Sequence, residues 1–380
     1  MKGQIRNIYP GGNTPKGFYS YYNYILPRRK AKKIFCIKGG PGTGKSTFMK
    51  DIGDHFLKKG EDVDLMWCSS DPGSLDGIVL RERNTAIVDG TSPHTVDPEY
   101  PGAAGEILDF GQFWDRRALR ANREEIIKIN EKTGACFRRA YGFLQCAGCQ
   151  YGFMSRIVEE RVKDERIQEM KTLISTRLGG ISALRRHESR MKRDVILGKS
   201  APRGEVRKYF AGAITPAGIR SGLDSLAEKA ENMIILEAPA GFRPEKLLAP
   251  VSERCRDAGL DTEEYYCPMD PENRLEHVVI PKLKTIISTE NRYHSIGNDR
   301  GARIFRVSGE KIIDDMGEDI SLIRQLEEDS AEYIARAAEA LKEAKASHDV
   351  LEKYYMESMD FEKLEKLRDK IIGMIEDDII

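Results

Sequence analysis

The chain has 380 residues, 40% hydrophobic and 32% charged, with 61 basic and 61 acidic side chains. That length suits two or three domains, and the composition is that of a globular chain with apolar material for real cores. Balanced charge gives no support for a general nucleic-acid or anionic-membrane binder, and no apolar run reaches bilayer-spanning length.

The opening MKGQIRNIYPGGNTPKG has no apolar signal-like core. Seven cysteines, an odd number, fit reduced thiols better than a disulfide framework. The expectation is a cytoplasmic protein with no membrane partner.

The first clear element is KKIFCIKGGPGTGKSTFMKDI, residues 32–52. Ile34 to Ile37 suit a buried strand, and Phe48, Met49, Ile52 and Phe56 recur at helical spacing. Between them stands Gly39-Gly40-Pro41-Gly42-Thr43-Gly44-Lys45-Ser46, a full G-x-x-x-x-G-K-S pattern. Glycines allow the positive φ values that curl a backbone around a phosphate, and the helix start adds unpaired N–H groups and a positive dipole end. The pattern assigns Lys45 to the β/γ-phosphates, Ser46 to Mg2+ and Thr47 to the α-phosphate.

Val63 to Cys68 read as the next strand, ending at Ser69-Ser70-Asp71-Pro72; Thr85 to Val88 read as another, ending at Asp89 and followed by His94. Ligands of open parallel sheets sit beyond the carboxyl ends of the strands, which places Asp71, Asp89 and His94 toward the phosphates. Asp89, ending an apolar strand, is the candidate carboxylate for the Mg2+ shell. Residues 105–111 suggest a further short strand.

A polar, helix-rich arm follows, from about Asp115 to Leu178. Cys146 and Cys149 share a helical face there, which fits either a metal or redox pair or small buried residues in a helix contact. Arg185, Arg186, His187, Arg190, Lys192, Arg193, Lys199, Arg203, Arg207 and Lys208 then make a basic joint. It reads as a solvated face or as the source of an arginine finger.

The chain then repeats itself. Residues 33–68 align on 232–267 without a gap, and GGNTPKGFYS (11–20) resembles GAITPAGIRS (212–221). On this alignment Gly44-Lys45-Ser46 becomes Arg243-Pro244-Glu245. Pro244 has no N–H to give, and Glu245 puts negative charge where phosphate would sit; both suit a helix N-terminus. Weak anion binding through Arg243 and Lys246 is the alternative for this copy. Thr289 replaces Asp89, so acid and lysine are lost together, which favours a metal role for Asp89. Asp270 and His294 persist in the second copy, which leaves Asp71 and His94 open to structural as well as catalytic readings. A second arm follows, from about Asp319 to Ile375.

The reading is an α/β protein of two tandem P-loop NTPase-like, three-layer parallel-sheet domains, each with a long helical extension. The first spans 1–204 (core about 9–112, arm about 115–178, then the start of the joint 181–208). The second, degenerate one spans 205–380 (core about 207–308, arm about 319–375). With both halves in view the chain resembles an uncharacterised bacterial family of tandem P-loop ATPases, in GGPGTGKSTFMK, CSSDPGSLDG, DGTSPHTVDP and the repeated TP-x-G element. That resemblance implies ATP binding and hydrolysis with Mg2+ and names no substrate. No guanine-type N-K-x-D pattern occurs, so ATP is the default nucleotide. The expected function is an ATPase whose cycle moves the arms or an unseen protein partner. A small-molecule or nucleotide kinase, with Asp71 orienting an acceptor, is the first alternative, and a non-catalytic ATP-gated scaffold is the second.

Overall fold

The computed structural model describes residues 2–27, 30–93, 95–239, 241–297, 301–309, 317 and 319–378. In the first half the strands are β1 (Ile5–Ile8), β2 (Gly11–Thr14), β3 (Gly17–Ser20), β4 (Lys33–Lys38), β5 (Val63–Trp67), β6 (Leu75–Leu80), β7 (Thr85–Asp89) and β8 (Gly105–Asp109). Helix α1 (Lys45–Lys58) follows β4, and α2 (Arg116–Ala121), α3 (Arg123–Glu160), α4 (Asp164–Gly179) and α5 (Ser182–Ile196) follow β8. The second half has β9 (Val206–Phe210), β10 (Gly212–Thr215), β11 (Gly218–Ser221), α6 (Leu223–Ala227), β12 (Asn232–Glu237), α7 (Glu245–Asp257), β13 (Thr262–Cys267), β14 (Asp270–Ile280), β15 (Thr285–Glu290), β16 (Arg303–Ser308), α8 (Asp319–Met356) and α9 (Phe361–Glu376).

The duplication is visible in the topology. The first sheet runs β1-β5-β6-β7-β4-β8, and the second, taken from its matching edge, runs β9-β13-β14-β15-β12-β16. Register is kept as well. Ile34 pairs with Gly105 as Met233 pairs with Ile304, and Leu80 pairs with Thr85 as Ile280 pairs with Thr285. The small hairpins β2–β3 and β10–β11 repeat atom for atom at their turns. Thr14 Oγ1 donates to Gly17 O at 2.8 Å, and Thr215 Oγ1 donates to Gly218 O at 2.7 Å.

Both sheets are mixed, which corrects the expectation of parallel sheets. β6 runs antiparallel to β5 and β7, and β14 runs antiparallel to β13 and β15. The reason is connection length. Only Cys68 to Ser74 separates β5 from β6, and four residues, Arg81 to Asn84, separate β6 from β7. Such short links make hairpins, since a parallel crossover needs a dozen residues or more.

The core of the first half follows from alternation in β4. Phe35 and Ile37 face one side, where Phe48, Met49, Ile52 and Phe56 of α1 and Leu364, Ile371 and Ile375 of α9 join them. Ile34, of opposite parity, lines a cleft with Val88, Tyr22, Ile25 and Leu26, so the segment 22–26 lies on the other face. At the sheet edge Arg6 Nε and Nη2 each donate to the buried Asp64 carboxylate at 2.7 Å. In α7 the buried Leu247, Leu248, Val251 and Cys255 stand where α1 has Phe48, Met49, Ile52 and Phe56.

The arms are equal in build: α3 and α8 each have 38 residues, α4 and α9 each 16. Their membership departs from the boundary at residue 204. One compact unit comprises Met1–Phe143, Ala213–Arg220 and Ala335–Ile380; the other comprises Leu144–Gly212 and Ser221–Ile334. The distal arm of each sequence half thus belongs to the unit built on the other half's sheet. In the first unit α9 packs on α1; in the second, α4 packs on α7. No helix among the described residues is long and apolar enough to cross a membrane.

Candidate phosphate-binding site

The loop between β4 and α1 forms at the carboxyl end of a central parallel strand of the first unit. Gly42 (φ 66°) and Gly44 (φ 85°) adopt left-handed conformations, and Gly44 is the residue from which α1 starts. Thr43 Oγ1 donates to Gly40 O at 2.8 Å and is buried, closing the turn from inside. Among the described residues, the N–H groups of Gly42, Thr43, Gly44, Lys45 and Ser46 donate to no acceptor outside α1. Unpaired donors at a helix start are the elements of an anion site.

Lys45 folds back over this loop. Its Nζ donates to Gly39 O at 3.0 Å and to Gly40 O at 2.6 Å, and lies 3.5 Å from Asp89 Oδ2. Asp89 arrives there because β7 pairs in parallel with β4, with Ile37 opposite Asp89. Its other oxygen accepts from Thr91 N at 2.8 Å, which fixes the carboxylate. Ser46 Oγ accepts from Leu75 N at 3.0 Å, while the Thr47 side of the helix is exposed. The structure therefore brings Lys45 and Asp89 together at the loop that leads into α1, with Ser46 in the first turn of that helix.

The remaining candidates fare differently. Asp71 is engaged in its own turn: Oδ1 accepts from Gly73 N at 3.3 Å and Oδ2 from Ser74 Oγ at 2.6 Å. Lys345 of α8 approaches its Oδ1 at 3.4 Å. Burial opposes the charge of that lysine, but Asp349 and Asp71 hold its pKa above the ordinary value. His94 lies outside the described residues. Cys146 and Cys149 are both exposed, which corrects the reading of them as buried helix-contact residues. The joint residues from Arg185 to Arg193 lie on α5, in the second unit, where Glu188 accepts from Arg254 Nε at 2.8 Å.

Several groups at the site carried no sequence signal. Thr91 Oγ1 donates to Gly39 O at 2.9 Å, tying the loop entrance to the end of β7. Lys38 Nζ donates to Gly90 O and Val96 O at 2.8 and 3.0 Å and pairs with Asp97. These bonds go to backbone oxygens of loops, which side-chain patterns do not announce.

The arm also meets the loop. A Cβ on Gly40 would stand 2.6 Å from the Tyr355 ring, and one on Gly42 would stand 2.6 Å from Glu352 O. One on Gly44 would stand 2.9 Å from Leu364 Cδ2. Glycines at these positions therefore serve close approach by α8 and α9 as well as backbone curvature. Burial here raises the pKa of the Tyr355 hydroxyl.

The matching loop of the second unit keeps the curl and loses two donors: Pro244 has no N–H, and Phe242 N donates to Pro239 O at 3.1 Å. Gly241 has φ 83°, and its absent Cβ admits Met154 O of α3. Phe242, 1% exposed, fills the place of Thr43. Pro244 has helical φ and ψ at the start of α7. Arg243 pairs with Glu245 and Glu159, and Lys246 pairs with Glu159, so both cations considered for anion binding already have carboxylate partners.

Compared with protein-family models, with characterised proteins and with solved structures, the chain matches none.

Proposed function

We propose that the first unit binds Mg-ATP at the Gly39–Ser46 loop and hydrolyses it, and that the second unit is a copy that no longer does so. The observation that carries this reading is the convergence of Lys45 and Asp89, 3.5 Å apart over a helix start with unpaired N–H groups. The equivalent second-unit positions hold Pro244 and Thr289.

The residues present fit the group. Loop N–H groups and Lys45 hold the β/γ-phosphate oxygens, replacing the bonds Lys45 now makes to Gly39 O and Gly40 O. Ser46 and Asp89 supply the hydroxyl and carboxylate oxygens that suit a hard cation. When bound, Mg2+ neutralises charge developing on the phosphate oxygens. The work of this chain is positioning and electrostatic stabilisation. Because Tyr355, Glu352 and Leu364 rest on the loop glycines, a change of loop shape on nucleotide binding is transmitted to α8 and α9. The engagement of Asp71 in its own turn weighs against the kinase reading, which needs that carboxylate for an acceptor.

The test is phosphate release from Mg-ATP without added acceptor, together with ATP affinity. Wild type should turn over, Lys45→Ala should bind ATP at least about tenfold more weakly, and Asp89→Ala should lose turnover. Unchanged affinity in Lys45→Ala removes the site assignment. ADP formed only when a metabolite panel supplies an acceptor selects the kinase, and tight binding without turnover selects the scaffold.

A further inference from the structure

The second unit holds a buried polar cluster that has no part in the nucleotide reading. Cys267 ends β13, Glu276 lies in β14, and His294 follows β15 in a turn pinned by Asn291 Oδ1, which accepts from His294 N at 3.2 Å. The Cys267 sulfur, a Glu276 carboxylate oxygen and a His294 ring nitrogen all lie within 4.8 Å of one another. Cys267 is 5% exposed and Glu276 is 0% exposed. The Arg274 guanidinium donates to Glu276 Oε1, whereas Oε2 is buried and has no partner among the described residues. A buried polar atom left unmet costs about 1–3 kcal/mol, more for a charged group, and buried charges are normally paired or coordinate a metal.

We propose that Cys267, Glu276 and His294 bind a divalent metal ion of the Zn2+ class, with a fourth position open to water. The donor set decides the class. A thiolate with an imidazole and one carboxylate suits borderline-soft Zn2+, whereas Mg2+ takes oxygens. Bonds of about 2.0–2.3 Å to Zn2+ set tetrahedral ligand atoms roughly 3.5 Å apart, inside the 4.8 Å within which these three atoms lie.

The surroundings are those of an oriented ligand set. Arg274 is held over the Tyr151 ring, 4.8 Å from its centroid, and takes only one of the two Glu276 oxygens. His277 packs edge-on against His294 with ring centroids 5.0 Å apart, and its Nδ1 lies 2.8 Å from Ser288 Oγ. An imidazole ligates a metal through a ring nitrogen in its neutral state. Burial and Glu276 push the Cys267 thiol up to about 12. A cation beside the sulfur reverses that balance: the metal–sulfur bond forms as the S–H bond breaks, and the proton leaves to solvent.

The experiment uses the full chain, stripped with a chelator and titrated with Co2+ and with Zn2+ in competition. The expected result is one equivalent of Co2+ with a thiolate charge-transfer band, displaced by Zn2+. Cys267→Ser should abolish the band, and both it and His294→Ala should weaken binding at least about tenfold. The exposed pair variant Cys146→Ser/Cys149→Ser should retain band and affinity. His294→Ala, outside the strands, gives the answer if Cys267→Ser fails to fold. Absence of Co2+ binding by wild type, or a band lost with Cys146/Cys149 and kept in Cys267→Ser, overturns the proposal. The Lys45→Ala chain should bind Co2+ like wild type, so this site and the nucleotide site stand or fall separately.

Discussion

Two loops leave the same central strand and enter the same helix, once in each unit, and they solve the helix start differently. In the first, Gly44 opens α1 in a left-handed conformation and leaves N–H groups unpaired, with Lys45 and Asp89 over them. In the second, Pro244 removes a donor and Phe242 fills the turn, while Glu245 complements the helix dipole. The lesson is that strand order, register and helix core survive loss of the loop's chemistry. What holds the fold is the sheet and the apolar face of the helix; apart from the glycine kept at Gly42 and Gly241, the loop residues diverge.

The strongest way to break this comparison is to remove matched core side chains from the two arms. Ile371 of α9 is 1% exposed against α1, and Ile174 of α4 is 0% exposed in the second unit. Ile371→Ala and Ile174→Ala should each cost about 2–5 kcal/mol in denaturant unfolding. Only Ile371→Ala should also lower ATP affinity, because α9, unlike α4, rests on the nucleotide loop. Equal losses of affinity in both would mean that the units are not functionally distinct.

The next contrast is Lys45→Ala against Lys246→Ala. Losing a charge-assisted phosphate contact should cost about 1.5–3 kcal/mol of ATP binding, roughly tenfold to a hundredfold by calorimetry. Lys246 is paired with Glu159 on a partly exposed surface, so its removal should change stability by under about 1 kcal/mol and ATP binding not at all.

A smaller and sharper pair is Gly42→Ala against Gly241→Ala. Both glycines have positive φ, and an added Cβ would stand 2.6 Å from Glu352 O in one and 2.9 Å from Met154 O in the other. Each substitution should destabilise by about 1–3 kcal/mol, since strain and close approach add. Thermal melts check that symmetry. With ATP present, the first variant alone should show a reduced ligand-induced rise in Tm.

Part of this was legible in the sequence, for physical reasons. Gly39 to Ser46 announce themselves because few residues besides glycine sustain the φ values there, and Gly60, Gly259, Cys68 and Cys267 keep the repeat in frame. The antiparallel strands were not legible. Leu75 to Leu80 carry Asp76 and Gly77 mid-strand, which weakens strand propensity, and the hairpin is set by the Asp71 turn. The exchange of arms was not legible either. Periodicity in α8 and α9 reveals an apolar face without saying which sheet it covers. Cys267, Glu276 and His294 have no ligand-type spacing, since three separate elements bring them together.

The smallest effect concerns how α9 is tied to α1, and it should depend on pH. Glu376 at the end of α9 receives both Lys59 Nζ and His55 Nε2 on one carboxylate oxygen. The hydrogen bonds from Lys59 and His55 hold its pKa down to about 2, against an ordinary 4.5. A depressed carboxylate contributes stability above its unfolded value and loses it as pH falls, here through the window from about 4.5 to about 2. In the second unit the residue in the place of His55 is Arg254, which is tied to α4 through Ser175, whose backbone oxygen accepts from Nη1 at 3.0 Å; its carboxylate partner, Glu188, lies on α5. Glu376→Gln should therefore lower the Tm of wild type slightly at pH 6, and the difference should vanish toward pH 2. Because the contact faces solvent, salt of about 1 M should shrink the difference at every pH. A difference that persists below pH 2, or ignores salt, would show that Glu376 acts through packing and that the charge contributes nothing to holding α9 in place.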